Sequence, residues 1–178
     1  MPSAPVHDFI TVAVAVAAAP VALVAGLPPG ETGALAATFL VGGLFFSPDL
    51  DLHSTPYMRW GPLRFMWWPY QVLIPHRSWL SHSLIVGGLL RLAYFAAILY
   101  ALSLGLLLLL HLVAPVDPTG TLWIATQGLG GYIGRHPAVS LYVLGGFVAS
   151  GATHVIADVI WSGLKRRFRR LSRRPRRG

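Results

Sequence analysis

Of the 178 residues, 54% belong to the hydrophobic set and only 11% are charged, well under the roughly 25% charge of an ordinary soluble domain, which argues for lipid rather than water around most of the surface. The absence of cysteine excludes disulfides and thiolate metal sites, so that histidine nitrogen and carboxylate oxygen are the donors left for any metal. The net charge of +8 belongs to one end, because nine of the fourteen cations fall in residues 165–177.

Four apolar segments follow in chain order, at 9–26, 32–47, 79–113 and 138–164, separated by connections rich in proline and glycine. The predicted fold class is therefore all-α, an integral membrane helical bundle of about four transmembrane helices with an aromatic-rich interfacial connection. It forms one metal-binding domain over 1–164, followed by a basic cytoplasmic tail over 165–178. The first segment follows an N-terminus without the basic region and cleavage site of a removable signal, and is expected to stay in the mature protein. The second is short and ends in Ser47-Pro48-Asp49-Leu50-Asp51, which puts two carboxylates at a helix end. The connection after it interleaves Tyr57, Trp60, Trp67, Trp68 and Tyr70 with Arg59 and Arg64, a composition expected at a bilayer interface. The third segment is too long for one straight span of a ~30 Å hydrocarbon core, and a break is expected at Gly87-Gly88. Residues 79–86 would then lie at the interface. Glycines inside apolar runs, such as Gly42-Gly43 and Gly145-Gly146, let helix backbones approach closely.

Arginine placement orients the bundle. With four spans, the 49–78 connection and the tail share one side, which collects Arg59, Arg64, Arg77 and the tail cations, while the opposite connections hold Arg135 alone. The positive-inside rule then places both termini in the cytoplasm of a multi-pass protein of a bacterial inner membrane. Membrane lipids are the expected partners, with anionic headgroups at the basic tail. Nucleic acid is disfavoured, because the basic and aromatic stretches adjoin membrane spans. Oligomeric state is not legible.

On this layout the chemistry-bearing residues gather at one face. His7 and Asp8 open the first helix, Asp49 and Asp51 close the second, His76 and His82 open the third, and His154 and Asp158 lie near the end of the fourth. These eight are the candidate metal ligands. His154 and Asp158, spaced i, i+4, share a helical face, and an ionisable group at that depth is a functional-site hypothesis. Asp8 is equally suited to capping its helix. Asp51, Arg77 and Arg91 are the candidate catalytic residues, the acid as a proton acceptor and the arginines as holders of an anionic group. Arg91 reaches the site only if the helix breaks, and otherwise extends to the headgroups. His53, His111 and His136 are expected to be bystanders.

The runs His7-Asp8-Phe9-Ile10-Thr11, Ser47-Pro48-Asp49-Leu50-Asp51-Leu52, Arg59-Trp60-Gly61, Trp68-Pro69-Tyr70, His76-Arg77-Ser78-Trp79-Leu80-Ser81-His82 and Gly88-Leu89-Leu90-Arg91-Leu92-Ala93-Tyr94, with His154-Val155-Ile156-Ala157-Asp158 later, resemble a family of bacterial uncharacterised metal-binding membrane proteins. That family is similar to the membrane-bound metal-dependent hydrolases. The resemblance implies a metal site in the membrane and a hydrolase. A looser likeness, in the N-terminal histidine and the later His and Asp pair, is to zinc-dependent phospholipases C and nucleases. The expected cofactor is a divalent metal, zinc first, with manganese, magnesium or iron as alternatives. The expected reaction is hydrolysis of a small-molecule or lipid phosphoester at the cytoplasmic leaflet, and the competing class is a metal-binding protein without catalysis, such as a sensor, chaperone or assembly factor.

Overall fold

A computed structural model describes residues 2–76 and 78–172. Among them the chain forms eight α-helices. These are α1 (Ala4–Val24), α2 (Pro29–Phe45), α3 (Thr55–Met58), α4 (Trp68–Leu73), α5 (Trp79–His82), α6 (Val86–His111), α7 (Pro118–Arg135) and α8 (Pro137–Ser172). Two 3-10 segments, Pro48–Asp51 and Gly61–Trp67, lie in the connection between α2 and α5. Helices α1, α2, α6 and α8 contain stretches long and apolar enough to cross a membrane.

The bundle is built around α2 and α8, which run in the same direction. At Gly146 an added Cβ would collide with the backbone of α2 at Leu35 and Phe39, so the absent side chain is what permits this approach. Helix α1 packs antiparallel on α2 and turns a single stripe inward, His7, Thr11 and Ala15, spaced i, i+4, i+8. Its remaining surface is apolar and outward, with Phe9 73% and Val24 91% exposed. A water-soluble helix would show the reverse pattern.

The aromatic connection folds inward, so that several of the rings expected at a bilayer interface are buried within the protein. Trp67 and Tyr70 are fully buried and Tyr57 nearly so. They form a core with Phe46, Leu50 and Phe147 against Phe95 of α6. Trp67 stacks on Phe95 at a centroid distance of 5.9 Å and meets Phe46 edge-on at 5.5 Å. Trp60 anchors the arrangement by donating its indole N–H to the Phe45 carbonyl at the end of α2. Burying large rings against each other stabilises more than leaving them at a boundary, since each hides ~150–250 Å². Trp68 and Trp79 remain exposed.

Two further differences concern helix boundaries. The third apolar segment breaks at residues 83–85 rather than at Gly87-Gly88, which lie inside α6. Ser78 caps α5 by accepting from the Ser81 N–H, and the Ser83 hydroxyl accepts from Gly87 N–H at 2.7 Å in the first turn of α6. Hydroxyls that satisfy helix-end N–H groups thus set the break. Helix α7, within what had read as a connection, starts on an Asp117 cap. Helix α8 continues past Leu164 to Ser172, about 21 Å beyond Asp158 at ~1.5 Å per residue.

Candidate metal centre

Helices α1, α2 and α8 bring their polar ends together at one end of the bundle. His7 lies one turn into α1, so its ring points into the seam with α8 and stacks on His154 at 3.8 Å, with 14° between planes. On α8, His154 and Asp158 share that seam. His7 Nε2 stands 3.2 Å from Asp158 Oδ1, and His154 Nε2 is 3.9 Å from Asp158 Oδ2.

The Ser47-Pro48-Asp49-Leu50-Asp51 run supplies the next ligands through its geometry. Ser47 caps the 3-10 segment by accepting from Asp49 N–H, proline occupies its first turn, and Leu50 is fully buried beneath it. At three residues per turn, side chains two apart diverge by about 120°. Asp49 accordingly faces α8, with Oδ2 3.4 Å from His154 Nε2. Asp51 faces the other way and pairs with His76, whose Nδ1 is 2.9 Å from Asp51 Oδ1. His82, at the end of α5, lies between them, its Nε2 4.0 Å from Asp49 Oδ1 and its Nδ1 3.9 Å from Asp51 Oδ2.

Serines orient two of the imidazoles. Ser81 Oγ donates to the Ser78 carbonyl and is 2.8 Å from His82 Nδ1. In the tautomer with hydrogen on Nδ1, the hydroxyl accepts from Nδ1–H and leaves Nε2 as a bare lone pair. Ser47 Oγ lies 3.3 Å from His154 Nδ1 and plays the same anchoring part. A second group that fixes the far nitrogen is the usual arrangement around a ligating histidine. Burial lowers the pKa of His82 from its ordinary value against the opposing pull of Asp51 and Asp49, which keeps the ring neutral and able to bind a cation near neutral pH.

The decisive feature is what these atoms lack. His7 Nε2, Asp49 Oδ1, His82 Nε2, His154 Nε2 and Asp158 Oδ1 are all buried and face one another as His–Asp ion pairs at 3.2–4.0 Å, without good hydrogen-bond geometry among the described residues. Buried polar atoms are normally hydrogen-bonded, and five such atoms converging on one another from three helices and the Pro48–Asp51 segment suit a shared cation. Ligand atoms of a tetrahedral ion held at ~2.0–2.1 Å lie about 3.3 Å apart, and the His7–Asp158 and His154–Asp49 separations of 3.2 and 3.4 Å match that spacing. One ligand atom from each of His7, His154 and Asp158 falls within 4.8 Å of the others. The donors therefore fit a divalent cation. The matching family model, covering residues 2–168, is described as "Uncharacterized metal-binding protein (DUF2227)".

The chain belongs to that family. The family's description agrees with the donor set but specifies neither the metal nor a reaction. A curated relative, an uncharacterised protein of Aquifex aeolicus (strain VF5), is 46% identical over 57 residues. The match covers 32% of this chain, which thus spans only 40% of that relative's length. No solved structure matches.

All eight candidate ligands lie at this end of the bundle, and Asp8 differs from the other seven in its partner. Its carboxylate is taken by Arg59, which bonds both oxygens and also donates to the Leu44 carbonyl at 2.9 Å. A guanidinium engaged on both carboxylate oxygens holds the connection onto α1 and turns Asp8 toward Arg59 rather than toward the histidines. Arg77 lies outside the described residues. Arg91 does not extend to a headgroup. It is 1% exposed, and its Nη1 donates to the Ser81 carbonyl at 2.8 Å, which holds the turn carrying His82. Gly87 permits that packing, because a Cβ there would strike the same carbonyl. Sequence reasoning gave Ser47 and Ser81 no anchoring role and Arg59 no pairing with Asp8. The only trace in sequence was their place inside the same short motifs as the ligands.

Proposed function

We propose that this chain is a multi-pass membrane protein whose buried histidines and carboxylates hold a divalent cation, and that this centre hydrolyses a phosphoester at the cytoplasmic leaflet. The observation that carries the metal reading is the set of five buried ligand atoms that converge on one another without good hydrogen-bond geometry. The membrane reading is supported by helices that are long and apolar enough to span a bilayer and whose outward faces are apolar, such as Leu106 and Leu109 on α6. The twelve-to-one bias of cations toward the side of the site and tail supports the orientation. The C-terminal stretch of α8 adds Lys165, Arg166, Arg167 and Arg169 to exposed Trp161, Leu164 and Phe168, a composition suited to anionic headgroups.

When bound, a divalent cation polarises a phosphoryl oxygen and lowers the pKa of water. The chain's own residues do the rest. His7, His154, Asp49 and Asp158 hold and orient the cation, with zinc the first choice for such nitrogen and oxygen donors. Asp51 fixes His76, and Arg91 fixes the Ser81-His82 turn while placing a positive charge near Asp51 and Asp49. Both are positioning residues. The substrate is a phosphoester because a site at a helix-end boundary is reached by lipid headgroups and by small anions drawn to the basic side.

Purified protein loaded with metal in lipid and assayed on a broad phosphoester and amide panel should show turnover that a chelator abolishes. Turnover that survives Asp49→Ala together with His82→Ala would assign the activity to a contaminant. No turnover with stoichiometric metal bound would favour a sensor, chaperone or assembly factor. Since the chain has no cysteine, single cysteines at Ser3 and Ser172 can be labelled cleanly, and labelling from opposite sides would overturn the four-span arrangement.

A further inference from the structure

Asp49 sits between two groups of ligands. Its Oδ2 faces His154 Nε2 at 3.4 Å, on the side of His7 and Asp158, while its Oδ1 faces His82 Nε2 at 4.0 Å. That second distance is too long for a hydrogen bond. Both atoms are buried and without a hydrogen-bond partner among the described residues. Two ligands each about 2.1 Å from one ion can lie up to about 4.2 Å apart, so a cation between them satisfies both.

The neighbourhoods of the histidines meet at Asp49 and His154 and differ beyond them. The charged neighbours of His7 are His154, Asp158 and Asp49, whereas those of His82 are Asp51, Asp49, His76 and His154. His76 stands edge-on to His82 with ring centroids 5.7 Å apart. Its Nδ1 is held by the buried Asp51 carboxylate at 2.9 Å. An imidazole whose Nδ1–H is bound to a carboxylate presents a more basic Nε2 to a cation, and the Ser81 hydroxyl does the same for His82.

From this arrangement we infer that the centre takes two divalent cations, with Asp49 as the bridging carboxylate. His7, His154 and Asp158 hold the first, and His82 and His76 hold the second, oriented by Ser81 and Asp51. The inference rests on the metal reading above and deepens it. Three carboxylates, Asp49, Asp51 and Asp158, do not neutralise two divalent ions, and Arg91 adds a further positive charge. The doubly loaded centre is therefore matched to an anionic group such as a phosphoester, which a pair of ions can clamp on both the attacking and leaving oxygens.

The test uses full-length protein in detergent, loaded with Mn2+. Wild type should bind two ions per chain and give the exchange-coupled electron paramagnetic resonance signal of a carboxylate-bridged pair. His76→Gln should bind one ion and show the six-line signal of isolated Mn2+. His76 is the most accessible ligand, with a side chain 31% exposed, so its replacement spares the packed core. Asp158→Asn should likewise lose the coupling. One ion per chain in wild type, uncoupled and unchanged in His76→Gln, would overturn the second position while leaving the single-cation reading intact. No stoichiometric Mn2+ or Zn2+ in wild type would overturn both.

Discussion

The two ends of the bundle carry the same residue types and use them in opposite ways. Away from the site, the contacts of His111, Asp117 and His136 among the described residues are with close neighbours in sequence. His111 meets the Val116 carbonyl, Asp117 caps α7 at Thr119, and His136 lies against Tyr132. At the site end, the partners are 107 residues apart for Ser47 and His154, 51 for Arg59 and Asp8, and 25 for His76 and Asp51. A local contact needs only the helix or turn that contains it, whereas a long-range polar contact exists only once the whole fold has formed. Burial follows the same division, since His111 and His136 are exposed and His7 and His154 are buried. Burying ionisable groups is costly without a partner, so their accumulation at one end alone points to a ligand there.

Changes at the two ends should therefore diverge. The largest difference is expected for bound metal. His154→Ala with Asp158→Ala should reduce divalent metal content to background by elemental analysis, while His111→Ala with His136→Ala should leave it unchanged. Equal losses from both pairs would erase the distinction. Next comes the aromatic core. Trp67→Ala removes a fully buried ring and should destabilise the protein by about 3–5 kcal/mol, whereas Trp123→Ala on α7, 65% exposed, should lie within about 0.5 kcal/mol. Thermal unfolding in detergent measures both.

Smaller effects sharpen the separation between holding the fold and holding the metal. Asp8→Asn should cost about 1–2 kcal/mol by weakening a charge-assisted pair to Arg59, with metal content retained. Metal loss in that variant would return Asp8 to the ligand set. Ser81→Ala should lower metal affinity about tenfold by freeing the His82 ring, with little change in helicity by circular dichroism.

The helices and the site were legible in the sequence to different depths. Helices α1, α2, α6 and α8 stood out because long apolar runs carry their own signal. Helix α7 did not, because its TLWIATQGLGGYIG run is broken by glycine and polar residues. The break before α6 was assigned to Gly87-Gly88, yet two serine hydroxyls set it earlier, a capping effect that hydropathy does not register. The clustering of His and Asp at helix ends was visible once spans were drawn. What could not be read was which acid would turn aside. Asp8 and Asp49 look alike in sequence, and only the position of Arg59 after folding separates them. Similarly, Trp67 reads as an interfacial residue until Phe46, Phe95 and Phe147 close around the core that contains it.

The central claim is that the buried imidazoles and carboxylates at one end of the bundle ligate a divalent cation. X-ray absorption at the cobalt edge of full-length protein loaded with Co2+ addresses it most directly. The expected result is a nitrogen and oxygen shell near ~2.0–2.2 Å with the outer-shell scattering of at least two imidazoles, lost in His7→Ala with His154→Ala. Stoichiometric Co2+ without imidazole scattering, or a spectrum unchanged in that variant, would contradict the account.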